Sequence, residues 1–350
     1  MKHIKLVLTA LTLTAVLLFI LIVGPSVEAK LTSNKTEGRT VSELNKEDSK
    51  SASSDISVEN QEQEELLTYG FNLKYDKYLV EAPYTYVVNG EERCFQFDVM
   101  REKIAVAETG LSKYRLTYID NYKNRNGYAP FYKGGTVDPL GTNRSAAAPA
   151  YADINNLNEF IYLEDGTLVE VLEEDEDYTL VAIVGTGNEY SVPSRYVPTD
   201  DCLTQLKKVV VVDRTNQNIA TFEKEDQWNV TSYSMATTGK EGKYHELTPL
   251  GYYYAIERKV KFFYVKDGTN EIEGYAPYAV RFSGGAYIHG VSVGYKYAED
   301  GTQIDPGLRE FSSSIGTVPL SHKCVRNYTS HAKFIYDWYE HGKTIVIVIE

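Results

Sequence analysis

The chain of 350 residues divides, by its pattern of hydrophobic and polar positions, into four consecutive stretches. An apolar run extends from Leu6 to Val23, and a polar stretch rich in Ser, Thr, Asn, Glu and Lys follows over 30–65. Between Tyr69 and Pro198, short segments of alternating pattern flank Asn-Gly or Asp-Gly turns, which predicts hairpins of short strands. From Lys207 the apolar runs are longer. The pattern predicts a mainly β protein of two or three domains.

The first two stretches predict export from the cytoplasm. Lysines precede the apolar run, and Val27-Glu28-Ala29 follows it. The spacing of Val27 and Ala29 resembles a signal-peptidase site, whereas a run of about 18 apolar residues is also near the lower limit for a spanning helix. Residues 1–29 are therefore a signal peptide or an N-terminal membrane anchor, and the lysines predict that the following chain lies outside the cytoplasm. Residues 30–66 have too few apolar side chains to fold and are predicted to be a disordered spacer.

A faint repeat divides the third stretch. Its first copy combines Asn89-Gly90 with 114–119 and 127–130, and its second combines 165–172 with 178–183 and 190–193. The second copy resembles the small bacterial SH3-like barrel, in which a Gly-Thr-x-Val strand, a Tyr-centred strand and a Gly-Tyr-Val-Pro-like ending recur in wall proteins. We expect an SH3-like barrel at 143–202 and a small β domain, itself a divergent SH3-like barrel or another fold, at 67–142. Such domains would bind wall polymer or act only as spacers.

The fourth stretch, 207–350, predicts a larger β domain with few helices. Strands are predicted at 209–212, 217–222, 228–235 and 344–349. A helix is predicted from a cap at Thr329 or Ser330 up to Gly342. Its apolar face carries Phe334, Ile335, Trp338 and Tyr339.

Composition narrows the classes of function. The formal net charge is −13 and no Lys/Arg-rich stripe is present, so a nucleic-acid partner is not expected. The 29 tyrosines suit β-sheets and flat polar ligands. The three cysteines, Cys94, Cys202 and Cys324, are odd in number, which excludes a disulfide scaffold. Cys94 is interpreted as a small buried hydrophobic residue or as half of a bridge to Cys202.

The densest cluster of reactive side chains surrounds Cys324. A cysteine attacks a carbonyl carbon as a thiolate and needs a base or a cation nearby, and His322 and Arg326 lie two positions to either side. In an extended segment the three side chains would share one face. The spacing also fits a chance pair or half of a metal site, but the chain has no Cys-x-x-Cys and no further ligands nearby, so no metal is expected.

A second histidine, His289, stands between glycines. The run from Gly284 to Gly290 reads Gly-Gly-Ala-Tyr-Ile-His-Gly, and its glycines let the backbone approach a ligand closely. This context favours a site for His289. The remaining histidines in the folded stretches are interpreted as ordinary surface or core residues, namely His245, His331 and His341.

Residues from about Val209 to Ile349 resemble the L,D-transpeptidase catalytic domain, also called the YkuD domain. The landmarks that carry the resemblance occur in one order: Val-Val-Asp with Gln217, the 228–235 strand leading to Thr238-Gly239, Thr248-Pro249-Leu250-Gly251, Ile288-His289-Gly290, Ser321-His322-Lys323-Cys324-Val325-Arg326, and a Gly-Lys-Thr-Ile-Val-Ile ending. The resemblance implies a β-sandwich or barrel-like fold with one or two short helices. It also implies a location in the cell wall or on the outer face of the cytoplasmic membrane.

The resemblance implies a peptidoglycan L,D-transpeptidase. Cys324 would attack the bond after the diamino acid of a donor stem tetrapeptide, release the terminal D-alanine, and pass the acyl group to an amine of a neighbouring stem. With water as acceptor the chain would be an L,D-carboxypeptidase, and with weak catalysis a wall-binding protein. Stem peptides and glycan are the implied partners, carbapenems are the implied inhibitors, a membrane is contacted only through the N-terminal segment, and no cofactor is implied.

Roles for individual residues follow from the same resemblance. His289 would be the general base or the imidazolium partner of the thiolate, oriented by the backbone carbonyl of Gly290. His322 would line the pocket, and Arg326 would bind a stem carboxylate in bidentate fashion. Backbone amides around Lys323 and Cys324 would form the oxyanion hole. The further substrate-binding residues are Ser321, Tyr287 and Lys323.

Two features depart from the family pattern. Lys323 stands where the family usually has glycine, so a positive φ there would cost about 1 kcal/mol or more. Its ammonium would depress the thiol pKa, guide anionic wall polymer or simply lie solvated on the surface. The stretch from Gly290 to Leu320 is longer than the usual connection, which predicts a lid over the substrate groove or a plain surface excursion.

Overall fold

The structure is a computed structural model, and it describes residues 84–350. The predicted export segment at 1–29, the predicted spacer at 30–66 and the start of the predicted domain at 67–142 lie outside the described residues, so these three predictions stay predictions. Within 84–350 no helix is both long enough and apolar enough to cross a membrane. The described part of the chain is mainly β, as predicted.

The N-terminal module, which we define as residues 84–206, combines hairpins with one long helix. Its elements are β1 (Tyr84–Val88), β2 (Glu91–Phe95), α1 (Phe97–Leu111), β3 (Arg115–Tyr118), a 3-10 turn (Tyr122–Asn124), β4 (Ala147–Ala150), β5 (Ile161–Glu164), β6 (Leu168–Glu174), β7 (Tyr178–Ile183), β8 (Glu189–Pro193) and a 3-10 turn (Ser194–Tyr196). The predicted turn at Asn89-Gly90 joins β1 to β2, and both residues have positive φ, which suits a type I′ hairpin.

Helix α1 is the element that the hairpin interpretation missed. Phe97, Met100, Ile104 and Ala107 are buried at helical spacing. They pack in one hydrophobic cluster with strands of the following domain, so this helix belongs to a core that the two parts of the chain share.

The predicted division at 142/143 does not separate two sheets. Strand β3 pairs with β6, and the four strands lie in the order β3-β6-β7-β8. Leu116 and Tyr118 of β3 are buried on the helix side. The backbone N–H and C=O groups of a buried strand need hydrogen-bond partners, and β6 provides them for β3. Strands β4 and β5 form a separate pair. The SH3-like character of 143–202 stays a prediction.

The second part of the chain, 207–350, contains twelve strands and one helix. Its elements are β9 (Lys208–Asp213), β10 (Asn218–Lys224), β11 (Trp228–Met235), β12 (Gly251–Tyr254), β13 (Glu257–Val265), β14 (Ile272–Ser283), β15 (Ala286–His289), β16 (Val293–Gly294), β17 (Lys296–Tyr297), β18 (Gln303–Ile304), β19 (Val325–Arg326), α2 (Thr329–Trp338) and β20 (Thr344–Ile349).

Two five-stranded sheets form a sandwich-like arrangement. The first has the order β11-β10-β9-β20-β12, and the second has the order β13-β14-β15-β19 with β16 paired to β14. Alternate residues of β9 serve different layers: Val209 and Val211 cluster with α1, whereas Val210 and Val212 cluster with α2 and the second sheet. This alternation explains the uninterrupted valine run, because both faces of the strand are buried.

Helix α2 begins where it was predicted but is capped differently. Its N-cap residue is Tyr328, which makes no side-chain capping bond, and the helix ends at Trp338 rather than near Gly342. Thr329, the predicted cap, donates its hydroxyl to the Arg309 carbonyl instead. The predicted cap is therefore wrong, because this hydroxyl fastens the long stretch before Leu320 to the helix.

All three cysteines are free thiols, so the Cys94–Cys202 bridge does not form. Cys94 is half-buried, and its carbonyl accepts a hydrogen bond from Asn218 at 2.8 Å. Cys324 alone is buried.

Candidate active site

A cavity of about 560 Å³ collects most of the predicted site residues. Its wall includes His289, Ser321, His322, Cys324 and Arg326. Gly290, Tyr287 and Lys323 are not part of that wall. A second cavity, of about 660 Å³, lies at Tyr252, Leu250 and Thr186 and contains none of the predicted site residues.

Strand pairing brings the two halves of the site together. Strand β15 ends at His289, and β19 begins directly after Cys324. The two strands are parallel, with Ile288 opposite Val325 and His289 opposite Arg326. A residue pair separated by about 35 positions in sequence thus reaches one end of the second sheet.

Cys324 lies in a largely closed position. The side chain is 7% exposed, and Sγ lies 3.7 Å from the carbonyl oxygen of Gly285. Burial raises the pKa of the Cys324 thiol to about 11, although the Tyr287 backbone N–H and the charges of Arg326 and Lys323 act in the opposite direction. The cysteine is therefore a neutral thiol at physiological pH in the free protein.

His289 is fixed in a neutral form. Its Nδ1 lies 2.6 Å from the carbonyl oxygen of Gly290, so Nδ1 carries the proton and Nε2 is left as the acceptor. Burial, followed by the positive charge of Arg326, lowers the pKa of His289 to about 3. A neutral imidazole with a free Nε2 is the form that can take a proton from a thiol.

Arg326 presents a half-buried positive charge to the cavity. Its Nε is buried and has no hydrogen-bond partner, and none of the described carboxylates pairs with the guanidinium. Burial lowers the pKa of Arg326, and the charge of Arg309 acts in the same direction. A guanidinium without a partner is suited to bind an anionic group.

The segment before Cys324 is bent rather than extended. Strand β19 covers only Val325 and Arg326, and Lys323 has a φ of 97°. The expected common strand face of His322, Cys324 and Arg326 is therefore wrong, although all three line the same cavity. The bend is supported by Ser321, whose hydroxyl donates to the carbonyl of Cys324.

His322 stands at the exposed rim of the cavity. Its Nε2 lies 2.8 Å from Asp267 Oδ1, and its ring stacks on His245 with 3.7 Å between ring centroids. Within the described residues these three side chains place their ligand atoms within 4.8 Å of one another. Zinc lies near the plane of each imidazole that binds it, and two nearly parallel stacked rings do not share such a point. We assign no metal to this cluster.

Lys323 does not point into the cavity. The residue is 6% exposed, and its ammonium pairs with Glu164 of β5 and, at 3.0 Å, with Glu246. Burial acts to lower the pKa of Lys323, but the two carboxylates outweigh it and the net pKa is raised. The expectation of a solvated lysine is therefore wrong, and the paired ammonium is not among the groups that line the cavity.

The other landmark residues support the backbone beneath Lys323. The Thr248 hydroxyl donates to the Lys323 carbonyl and accepts from the Gly239 N–H, each at 2.8 Å. A Cβ on Gly239 would lie 2.7 Å from the Cα of Lys323, so only glycine fits there. The Thr-Gly and Thr-Pro-x-Gly motifs thus form the platform of the nucleophile segment.

Tyr287 supports the cavity wall but does not line the cavity. It is fully buried, and its ring stacks on Phe262 at 4.1 Å. Phe262 forms part of the cavity wall, so Tyr287 supports that wall from behind. The long stretch 290–320 contributes only Ser292 to the wall, which does not fit a lid over the cavity.

Two wall residues lie outside the domain that carries Cys324. Tyr122 and Lys123 belong to the 3-10 turn after β3 in the N-terminal module. Their contribution was missed because a contact across about 200 positions leaves no local trace in the sequence.

The comparison with family models identifies the second part of the chain. Residues 207–348 match the YkuD model, described as the L,D-transpeptidase catalytic domain. These residues are an L,D-transpeptidase catalytic domain. This result confirms the resemblance drawn from the sequence, and the enzymatic nature of the L,D-transpeptidase domain with it. None of the curated proteins compared with the chain matches it.

Several solved structures match parts of this chain. An L,D-transpeptidase from Mycobacterium smegmatis is 18% identical, with 60% of this chain and 80% of that chain covered and a TM-score of 0.31. The LD transpeptidase LdtMt1, solved in complex with imipenem, is 12% identical, with 77% and 100% covered and a TM-score of 0.31. A fused Zn-dependent amidase/peptidase from Clostridium acetobutylicum is 18% identical, with 41% and 51% covered and a TM-score of 0.28. This chain spans about half the length of that last protein.

Proposed function

We propose that the protein is a peptidoglycan L,D-transpeptidase in which Cys324 is the nucleophile and His289 the general base. One observation carries the proposal: a buried thiol and a neutral imidazole, whose Nδ1 is fixed on the Gly290 carbonyl, line a single cavity in an L,D-transpeptidase domain. Neither side chain needs a cofactor for acyl transfer.

The proton moves together with the attack on the substrate. Because the free protein holds a thiol and a neutral imidazole, His289 Nε2 takes the Sγ proton as Sγ bonds to the carbonyl carbon of the diamino acid. The N–H groups of Lys323 and Cys324 stabilise the oxyanion. The imidazolium then protonates the departing amine of D-alanine, which leaves a thioester on Cys324.

The second half of the reaction reverses these steps. An amine of a neighbouring stem loses a proton to His289 and attacks the thioester carbon. The thiol leaves with that proton, and a new amide bond links the two stems. Arg326, whose Nε has no hydrogen-bond partner, binds a carboxylate of the donor stem during both steps.

Purified protein and a stem tetrapeptide test this proposal. We expect release of D-alanine, formation of cross-linked dimers by mass spectrometry, and a carbapenem adduct on Cys324. Cys324→Ala should lose all three, whereas Cys94→Ala, which removes a half-buried free thiol, should lose none. Release of D-alanine without dimers would identify an L,D-carboxypeptidase instead. An undiminished carbapenem adduct on Cys324→Ala protein would show that Cys324 is not the nucleophile. If the intact protein releases no D-alanine, a wall-binding role would be favoured.

A further inference from the structure

The wall of the catalytic cavity is completed by the N-terminal module. Tyr122 and Lys123 line the same cavity as Cys324, His289 and Arg326. Both residues lie in the turn between β3 and β4, outside the 207–348 catalytic domain. A module that acted only as a spacer, or only held wall polymer, would not need to place side chains in the wall of this cavity.

The turn is held in a shape that it would not adopt alone. Lys123 and Asn124 have φ values of 54° and 55°, a region that costs an L-residue about 1 kcal/mol. Asn121, two positions before Lys123, is fully buried and donates its backbone N–H to Asp165 Oδ1 at 2.9 Å. Its side-chain amide donates to the Ala147 carbonyl at 2.8 Å. These buried contacts anchor the start of the turn in which Lys123 and Asn124 have positive φ.

The same turn is fastened to the catalytic domain. Asp165 pairs with Arg281 of β14, and both side chains are buried. The Arg281 guanidinium lies 4.4 Å from the ring centroid of Tyr122, so the ring rests on a fixed cation. The neighbouring residue, Glu164, pairs with Lys323 next to the nucleophile. Two adjacent carboxylates therefore set the turn and the nucleophile segment relative to each other.

The charges around the cavity leave Lys123 free to bind an anion. Lys123 is exposed, and its ammonium lies 5.6 Å from the Tyr122 ring but pairs with no described carboxylate. The acidic residues of the wall are Asp267, which is bound to His322, and Glu273. Lys266 and Arg326 add positive charge to the wall. Three cations of the wall pair with no described carboxylate, namely Arg326, Lys266 and Lys123, and of these Lys123 belongs to the N-terminal module.

We propose that Tyr122 and Lys123 form a substrate subsite in which Lys123 binds a second carboxylate of the donor peptide while the Tyr122 ring packs against its aliphatic part. The ligand class is an anionic peptide with at least two carboxylates, of which Arg326 takes the other. The inference rests on the proposed function, because the peptide must reach Cys324. Lys123 is a specificity residue and takes no part in proton transfer.

Charge reversal with a matched control tests the subsite. Lys133 lies in the same module, is exposed, has a φ of 48° and places its ammonium 5.3 Å from the Tyr132 ring, but it is not part of the cavity wall. Lys123→Glu should raise the KM for tetrapeptide about tenfold, as expected for the loss of one charge-assisted contact, with kcat changed less than about twofold. Lys133→Glu should leave both unchanged, and Lys123→Arg should restore the KM.

Peptides with single carboxylates converted to amides identify the bound group. One of these peptides should bind intact protein about tenfold more weakly and show no further loss with Lys123→Glu. Equal KM values for Lys123→Glu and Lys133→Glu would overturn the subsite.

Equilibrium binding of the tetrapeptide to Cys324→Ala protein separates this proposal from the proposed function. If the intact protein releases no D-alanine, the proposed function fails. A tenfold weaker affinity with Lys123→Glu in the Cys324→Ala protein would then still support the subsite, and an unchanged affinity would refute it.

Discussion

The ion pair between Lys323 and Glu164 predicts that a residue of the N-terminal module controls the reactivity of Cys324. Lys323 has a positive φ, which costs about 1 kcal/mol, and the residue holds the backbone next to the nucleophile. Its side chain is 8% exposed, that of Glu164 19%, and that of Glu246 61%. Glu164 is therefore the partner that compensates the buried ammonium.

The size of the effect follows from these exposures. Breaking a buried pair costs about 3–5 kcal/mol and breaking an exposed pair at most about 1 kcal/mol. Because Glu164 is partly exposed and Glu246 remains, Glu164→Gln should cost about 2 kcal/mol, equivalent to about a 30-fold shift in the population of the ordered segment. Glu246→Gln should cost less than about 1 kcal/mol.

The effect of Glu164→Gln should also be measured in Lys323→Gly protein, which lacks the ion pair. Glycine adopts the positive φ without strain and removes the ammonium, so Glu164→Gln should then have almost no effect. The assay is the second-order rate of Cys324 acylation by a carbapenem, measured with urea unfolding for all four proteins of the cycle. If Glu164→Gln has an effect of the same size in both backgrounds, the ion pair between Lys323 and Glu164 does not hold the segment next to Cys324.

Two further predictions concern stability. Burial lowers the pKa values of His289 and His331 to about 3, so below pH 6.5 the unfolded chain binds protons that the folded chain does not. The free energy of unfolding should have its full value above pH 6.5 and should fall by about 1.4 kcal/mol per pH unit for each histidine as the pH drops toward 4. Urea unfolding measures this free energy, and a value that does not change with pH would contradict the buried neutral rings. A Cβ on Gly166 would lie 1.9 Å from the Phe282 carbonyl oxygen, so Gly166→Ala should cost about 3 kcal/mol or more, against about 1 kcal/mol for Gly187→Ala, which also has a positive φ but nothing within 4 Å. Equal losses would show that the two parts of the chain do not meet at Gly166.

Elements that depend on the pattern of a single segment could be predicted from the sequence. The valine run of β9, the final strand β20, the start of α2 and the Asn-Gly hairpin all depend on contacts between neighbours or on burial of a whole strand. Helix α1 could also have been predicted from the sequence, because its buried residues follow a helical spacing. The cysteine, the two histidines and the arginine that line the cavity could be singled out from the sequence because they occur in an ordered set of motifs.

Long-range packing sets the surroundings of Cys324. The thiol and His289 are neutral because burial acts on them, and burial depends on the complete sandwich. Lys323 occupies a position typical of glycine, and its partner Glu164 lies more than 150 positions away. Tyr122 and Lys123 reach the cavity from the N-terminal module, which is joined to the catalytic domain by the buried pair of Asp165 and Arg281. Local pattern and side-chain chemistry identify the residues that can react, whereas long-range packing sets their charge states and their neighbours.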